Sequence, residues 1–199
     1  VSMLLIFISA GIFVGVVGRS SAESVAYFML SIIPAEFAVA VLFIVACFVS
    51  TAMGTSVGTI TLITPIAVAV SEASGFSMAL CVASVMGGAM FGDNLSFISD
   101  TTVVATQTQN CKMSDKFKVN AIIVAPAAII VLAIYAVMGA DFNAPANVGQ
   151  VEYLKVIPYI AVLITAVMGI NVMGVLTIGL ILCGLIGILD GDYNIYGWF

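Results

Sequence analysis

Apolar runs of membrane-spanning length, separated by short polar stretches, make up most of this chain. A helix needs about 20 apolar residues to cross the hydrocarbon of a bilayer. Residues 1–18 form a first such run, closed by Gly18 and Arg19, with Gly11 and Gly15 as a small-residue face. The run that starts near Glu36, after Pro34, reaches only to Val49 before a segment rich in glycine and hydroxyls, and it resumes from Ile60 to Val70. Its first part is too short to cross alone, so residues 36–70 are expected to form one broken helix. The pattern recurs at 76–106, where the polar stretch from Gly92 to Thr102 interrupts a second helix. Residues 119–139 read as a continuous span kinked at Pro126. The run from Val156 to Leu189 is too long for one crossing and is expected to fold as a hairpin, 156–169 and 172–189, turning at Gly169-Ile170-Asn171. The expectation is an all-α integral membrane bundle of about six spans, two of them interrupted at mid-membrane.

Composition excludes most other classes. Of 199 residues, 63% are hydrophobic and 8% charged, against roughly 25% charged in a soluble domain. The mean hydropathy is +1.28. Ten acids outweigh five bases, and no basic patch is present, which argues against a nucleic-acid partner. With no His and four scattered cysteines, neither a zinc site nor a redox pair is indicated. Cys47, Cys81 and Cys183 sit in apolar runs and are expected to pack as small apolar residues. No removable leader is visible, and the apolar opening and aromatic end suggest a piece cut from a longer chain.

Lys112, Lys116 and Lys118 fall in the polar stretch 107–118, which the positive-inside rule places in the cytoplasm. If each broken helix crosses fully, Arg19 joins them, and Asp141, Glu152, Asp190 and Asp192 lie outside. Glu36, in the first turn after Pro34, is expected to favour the helix dipole, and Glu72 to sit in a surface loop.

Unwound backbone at membrane depth is tolerated only inside protein or beside a water-filled cavity. Ion-coupled transporters use such breaks, where freed carbonyls and helix ends meet the ion. The first break supplies Ser50, Thr51, Thr55, Ser56, Thr59 and Thr61, and the second supplies Asp93, Asn94, Ser96, Ser99, Asp100, Thr101 and Thr102. Hard cations take oxygen ligands of these kinds. Asp93 and Asp100 are the expected Na+ ligands, since intramembrane carboxylates are functional by default. Asp100 could instead cap the following half-helix, and Asp93 could be a polar helix end. The negative end of its half-helix opposes charge on Asp93, which is assigned the protonation role, and Asp100 the firmer cation contact. Segments 50–59 and 92–102 are expected to be non-helical and to meet near the midplane.

At Phe91-Gly92-Asp93-Asn94-Leu95-Ser96-Phe97-Ile98-Ser99-Asp100-Thr101-Thr102 the sequence resembles the NhaC-type sodium/proton antiporter family of the ion transporter superfamily. Gly54-Thr55-Ser56-Val57-Gly58-Thr59, Thr106-Gln107-Thr108-Gln109 and the lysine stretch support the resemblance, which covers most of residues 1–190. It implies exchange of Na+ for H+ across a bacterial inner membrane by two related halves, one of which is this chain. Many relatives carry His where Asn94 stands, so His-based pH sensing is not expected. A membrane enzyme is not expected, because the chain has no His, no Cys paired with a base and no metal-ligand spacing beyond the aspartates, and no cofactor is expected beyond transported Na+, with Li+ as a further candidate, and H+. The implied partners are the lipid bilayer and the second half of the same polypeptide, with a homo-oligomer left open. Some relatives exchange organic acids such as malate for lactate. With no basic side chain expected inside the membrane to hold a carboxylate, inorganic cation exchange is preferred. A non-transporting scaffold subunit, the remaining alternative, would need neither broken helices nor buried acids.

Overall fold

The structure is a computed structural model that describes residues 8–9, 12, 23–97, 99–140 and 150–190. The expected first span apart from residues 8–9 and 12, together with Arg19, Asp141 and Asp192, lies outside the described residues, as do the side chains of residues 100, 140, 172 and 190. The chain is an integral membrane bundle of helices. Among the described residues four helices are long and apolar enough to cross a membrane. The helices are α1 (Glu23–Ile32), α2 (Ala38–Met53), α3 (Ser56–Ser74), α4 (Met78–Leu95), α5 (Asp100–Thr108), α6 (Met113–Ala140), α7 (Tyr153–Val167) and α8 (Val172–Asp190). A 3-10 turn, Ala35–Phe37, extends α2 at its start. Ile122, Ile123, Ile129 and Ile130 stand 60% or more exposed on α6, a surface that water would not tolerate and hydrocarbon does.

Hydrophobic drive between helices is weak in lipid, so close packing depends on small residues. On α4, Ser84, Gly88 and Gly92 recur every fourth residue and are buried. A Cβ on Gly88 would collide with the Phe43 carbonyl, and one on Gly92 with the Cys47 carbonyl and Ser50. These contacts advance in step along both helices, so α2 and α4 run parallel. Ser50 Oγ ties them by donating to Ala89 O at 2.6 Å. Cys81 and Cys183 are buried as packing residues, and Cys47 is half-buried.

The expected broken helix 36–70 is a hairpin. α2 ends at Gly54, whose φ of 68° is the left-handed conformation that glycine adopts without a Cβ clash. From Thr55 the chain turns back, because the start of α3 meets the end of α4 (Ser56 to Asp93) while the short link 75–77 joins the end of α3 to the start of α4. One expected crossing is therefore two antiparallel helices. The expectation failed because a single glycine reverses the chain, and the neighbouring hydroxyls stay helical by bonding carbonyls one turn back. Thr51 Oγ1 donates to Cys47 O at 2.7 Å and Thr64 Oγ1 to Ile60 O at 2.6 Å. Pro65 and Pro126 sit inside α3 and α6 without ending them.

This reversal also changes which end of the bundle each charge occupies. Gly139, at the end of α6, abuts the Glu36 carbonyl. Glu36 therefore lies at the end opposite the lysines, together with Glu72, which is in the last turn of α3 rather than in a loop. α7 and α8 form the expected hairpin: Gly169 turns with φ 76°, and Asn171 Oδ1 accepts from Met173 N at 2.9 Å. The turn rests near Ala52 O, level with the tip of the α2–α3 hairpin. Lys155, buried at the start of α7, pairs with Glu152 at 2.8 Å.

Candidate ion site at the helix breaks

Three helix ends meet a fourth helix at this level: the end of α2, the start of α3, the end of α4, and the first turns of α6. The second interruption is short. α4 remains helical through Asp93 and Asn94 to Leu95, its last turn closed by Ser96 N to Asp93 O at 3.2 Å. Residues 96, 97 and 99 leave the helix, and α5 resumes at Asp100 with Ser99 as N-cap. Most of segments 50–59 and 92–102 is thus helical, contrary to expectation, and among the described residues of these segments the non-helical backbone is confined to 54–55, 96–97 and 99.

The two interruptions nevertheless come together. Ser56 Oγ donates to Asp93 Oδ2 at 3.1 Å, and Thr51 Oγ1 reaches Gly92 O at 3.3 Å. Asp93 Oδ1 is buried and, among the described residues, has no hydrogen-bond partner. A buried polar atom without a partner is unusual and costly. Here it is a carboxylate oxygen in the last turn of a helix, close to the hairpin tip. One proton or one hard cation would satisfy it.

The remaining expected ligands divide. Thr55 is the N-cap of α3, its Oγ1 accepting from Gly58 N at 3.3 Å. Thr59 is fully buried and bonds Thr55 O at 2.8 Å, so its hydroxyl holds the hairpin tip. Asn94 is exposed, and its amide turns back to Met90 O at 2.9 Å. Ser96 and Ser99 are buried in the break. Ser99 and Thr101 hydroxyls lie 2.9 Å apart, with Thr101 exposed. Asp100 is the first residue of α5, not its N-cap, and its side chain lies outside the described residues.

Lys116 is the residue that sequence reasoning missed. α6 begins at Met113, so Lys116 lies in its first turns rather than in the expected polar loop. Its ammonium donates to Asn94 O and, at 2.8 Å, to Thr102 Oγ1, and it interacts electrostatically with Asp93. Asn120, one turn on, donates to the same carbonyl at 3.3 Å. Phe97 of the break stacks on Phe117 with ring centroids 4.7 Å apart. The expectation that no basic group reaches the site is therefore corrected. The four-residue spacing of Lys116 and Asn120 ahead of an apolar run was the available signal. At about 1.5 Å per residue, the α6 residues that touch the break, Lys116 to Asn120, stand about 5–10 Å from the start of α6 and about 30–36 Å from its end.

The chain matches the family described as the Na+/H+ antiporter family over residues 1–140. It is 29% identical over 155 residues to a malate-2H(+)/Na(+)-lactate antiporter of Bacillus subtilis, a match covering 76% of this chain and 33% of that protein. It is 34% identical over 84 residues to an uncharacterized protein of Haemophilus influenzae, covering 42% of this chain and 16% of that one. The chain thus spans about a third or less of the curated relatives it matches. No solved structure matches it.

Proposed function

Because the chain belongs to the Na+/H+ antiporter family, we propose that it is part of a secondary transporter exchanging Na+ for H+, with cation and proton competing for Asp93. The observation that carries this reading is the buried, unpartnered Oδ1 of Asp93 beside the Ser56 hydroxyl. Membership of this family makes the chain part of a transporter rather than an enzyme.

Competition at one carboxylate is enough for exchange. A cation favours the ionised carboxylate and expels the proton, and protonation removes the charge that holds the cation. The hydroxyl of Ser56 and the carbonyls at the α4 end supply neutral oxygens, and Asp100, the first residue of α5, is the candidate second carboxylate. If the site opens alternately to either side, flux of one ion drives the other. The transporter resides in a bacterial inner membrane with residues 107–118 cytoplasmic, and a second half of the same polypeptide completes it. Na+ is the preferred cation, with Li+ tested beside it.

Na+-driven proton movement in proteoliposomes of the full-length protein tests the reading. Asp93→Asn keeps the shape and removes the charge, and exchange should fall to background in protein that remains folded. Exchange at the unaltered rate would place the competing site elsewhere.

Lys116 favours a second reading, a Na+/H+-coupled exchanger of small organic acids, because a basic group at the break can meet a carboxylate. The Bacillus subtilis relative carries that kind of name. Acceleration of Na+ flux by malate or lactate on the opposite side of the membrane separates the two readings.

A further inference from the structure

The Lys116 ammonium stands against the oxygens that a transported cation would use. It bonds Asn94 O, a freed carbonyl at the end of α4, and Thr102 Oγ1, a hydroxyl at the start of α5. These two groups come from opposite sides of the α4–α5 break, so the lysine bridges the gap. A hydrated position would have served a residue whose only task was to set topology. Asn120 bonds the same carbonyl from the next turn of α6, and the stacked Phe97 and Phe117 rings hold the break against this helix.

We propose that Lys116 is a tethered competitor of the transported cation: its ammonium and Na+ exclude each other from the oxygens of the α4–α5 break. The inference rests on the Na+ exchange proposed above. Three features give it physical content. An ammonium carries three donors and no acceptor, so it can substitute for a monovalent cation at a carbonyl and a hydroxyl. Asn94 O and Thr102 Oγ1 cannot serve both cations at once. The positive charge also interacts electrostatically with Asp93, so it weakens the field that attracts Na+ to that carboxylate. Lys116 is thus a positioning residue that keeps cation binding weak enough for release.

The test uses the full-length protein in two ways. With an amine-reactive reagent and mass spectrometry, saturating Na+ should raise the labelling rate of Lys116 severalfold over choline, because displacement frees the amine. Lys112 and Lys118, both exposed, are internal controls and should not respond. In equilibrium binding of radioactive Na+, Lys116→Gln should tighten the apparent Kd roughly tenfold, as loss of a nearby like charge predicts, and slow maximal exchange. Lys116→Arg should stay near the unmodified protein in affinity. If Na+ binds and is exchanged while Lys116 labelling is indifferent to it, the competition does not exist. An unchanged Kd in folded Lys116→Gln overturns it equally. If the unmodified protein neither binds nor exchanges Na+, the functional reading fails first and this inference with it.

Discussion

Ser56, at the start of α3, donates its hydroxyl to Oδ2 of Asp93, in the last turn of α4, across 3.1 Å. The two residues stand on helices joined at their other ends by the link 75–77, so this contact closes the far end of the α3–α4 pair. It leaves Oδ1 of the same carboxylate buried and unpartnered. The hydroxyl therefore orients the carboxylate without satisfying it.

Ser56→Ala should weaken apparent Na+ affinity about fivefold, since a hydrogen bond of this kind contributes about 1 kcal/mol net. The maximal exchange rate should be retained, because the charge remains. Proton flux measured against Na+ concentration separates the two parameters. A loss of maximal rate with unchanged affinity would assign Ser56 to the conformational step.

The close pairing of α2 with α4 predicts an asymmetric response to adding one methyl group. In Gly92→Ala the new Cβ would collide with the Cys47 carbonyl and Ser50, and overpacking of this sort costs about 1–3 kcal/mol. In Gly87→Ala the Cβ would meet the Phe43 ring at 3.5 Å, an ordinary contact. Thermal unfolding in detergent should show the first variant destabilised and the second near the unmodified protein. Equal stability of both would mean that the two helices are free to separate.

Orientation can be read at Cys111, which is exposed at the loop before α6, whereas Cys81 and Cys183 are buried. Glu36, Glu72 and Glu152 lie at the opposite end of the bundle from the three lysines, whereas Asp115 stands among those lysines. In sealed cells an impermeant thiol reagent should leave Cys111 unmodified, and in inside-out vesicles it should label it. Labelling from outside would invert the topology.

Much of this was legible in the sequence because apolar periodicity and composition dominate in lipid. The turn at Gly169 and Asn171 was legible for a local reason, a glycine followed by a capping side chain. The reversal at Gly54 was not. A run of serine and threonine between apolar segments reads alike whether the chain continues or doubles back, and only the contact of Ser56 with Asp93 distinguishes the two. Residue types identified Asp93 and Ser56 as candidates, but they could not show that Thr55 and Thr59 are occupied in holding the hairpin tip. Lys116 was missed because the positive-inside rule accounts for a lysine without asking what its ammonium touches. Helix start positions decide that, and a shift of α6 to begin at Met113 carries Lys116 onto the break.

Asp100 offers the sharpest separation of structural from transport roles. It follows the N-cap Ser99 as the first residue of α5, where a carboxylate gains about 0.3–1 kcal/mol from the helix dipole. Asp100→Asn keeps the side-chain shape and removes the charge. If Asp100 does no more than favour the dipole, the unfolding temperature should drop slightly and exchange should persist. A second carboxylate facing the transported cation predicts the reverse, with stability barely altered and Na+-driven proton flux lost. We expect the latter, because Ser99 and Thr102 are buried in the same break, and Thr102 already meets one cation, the ammonium of Lys116. Parallel measurement of unfolding temperature and flux in Asp100→Asn decides the matter, and intact flux would reduce the site to Asp93 alone.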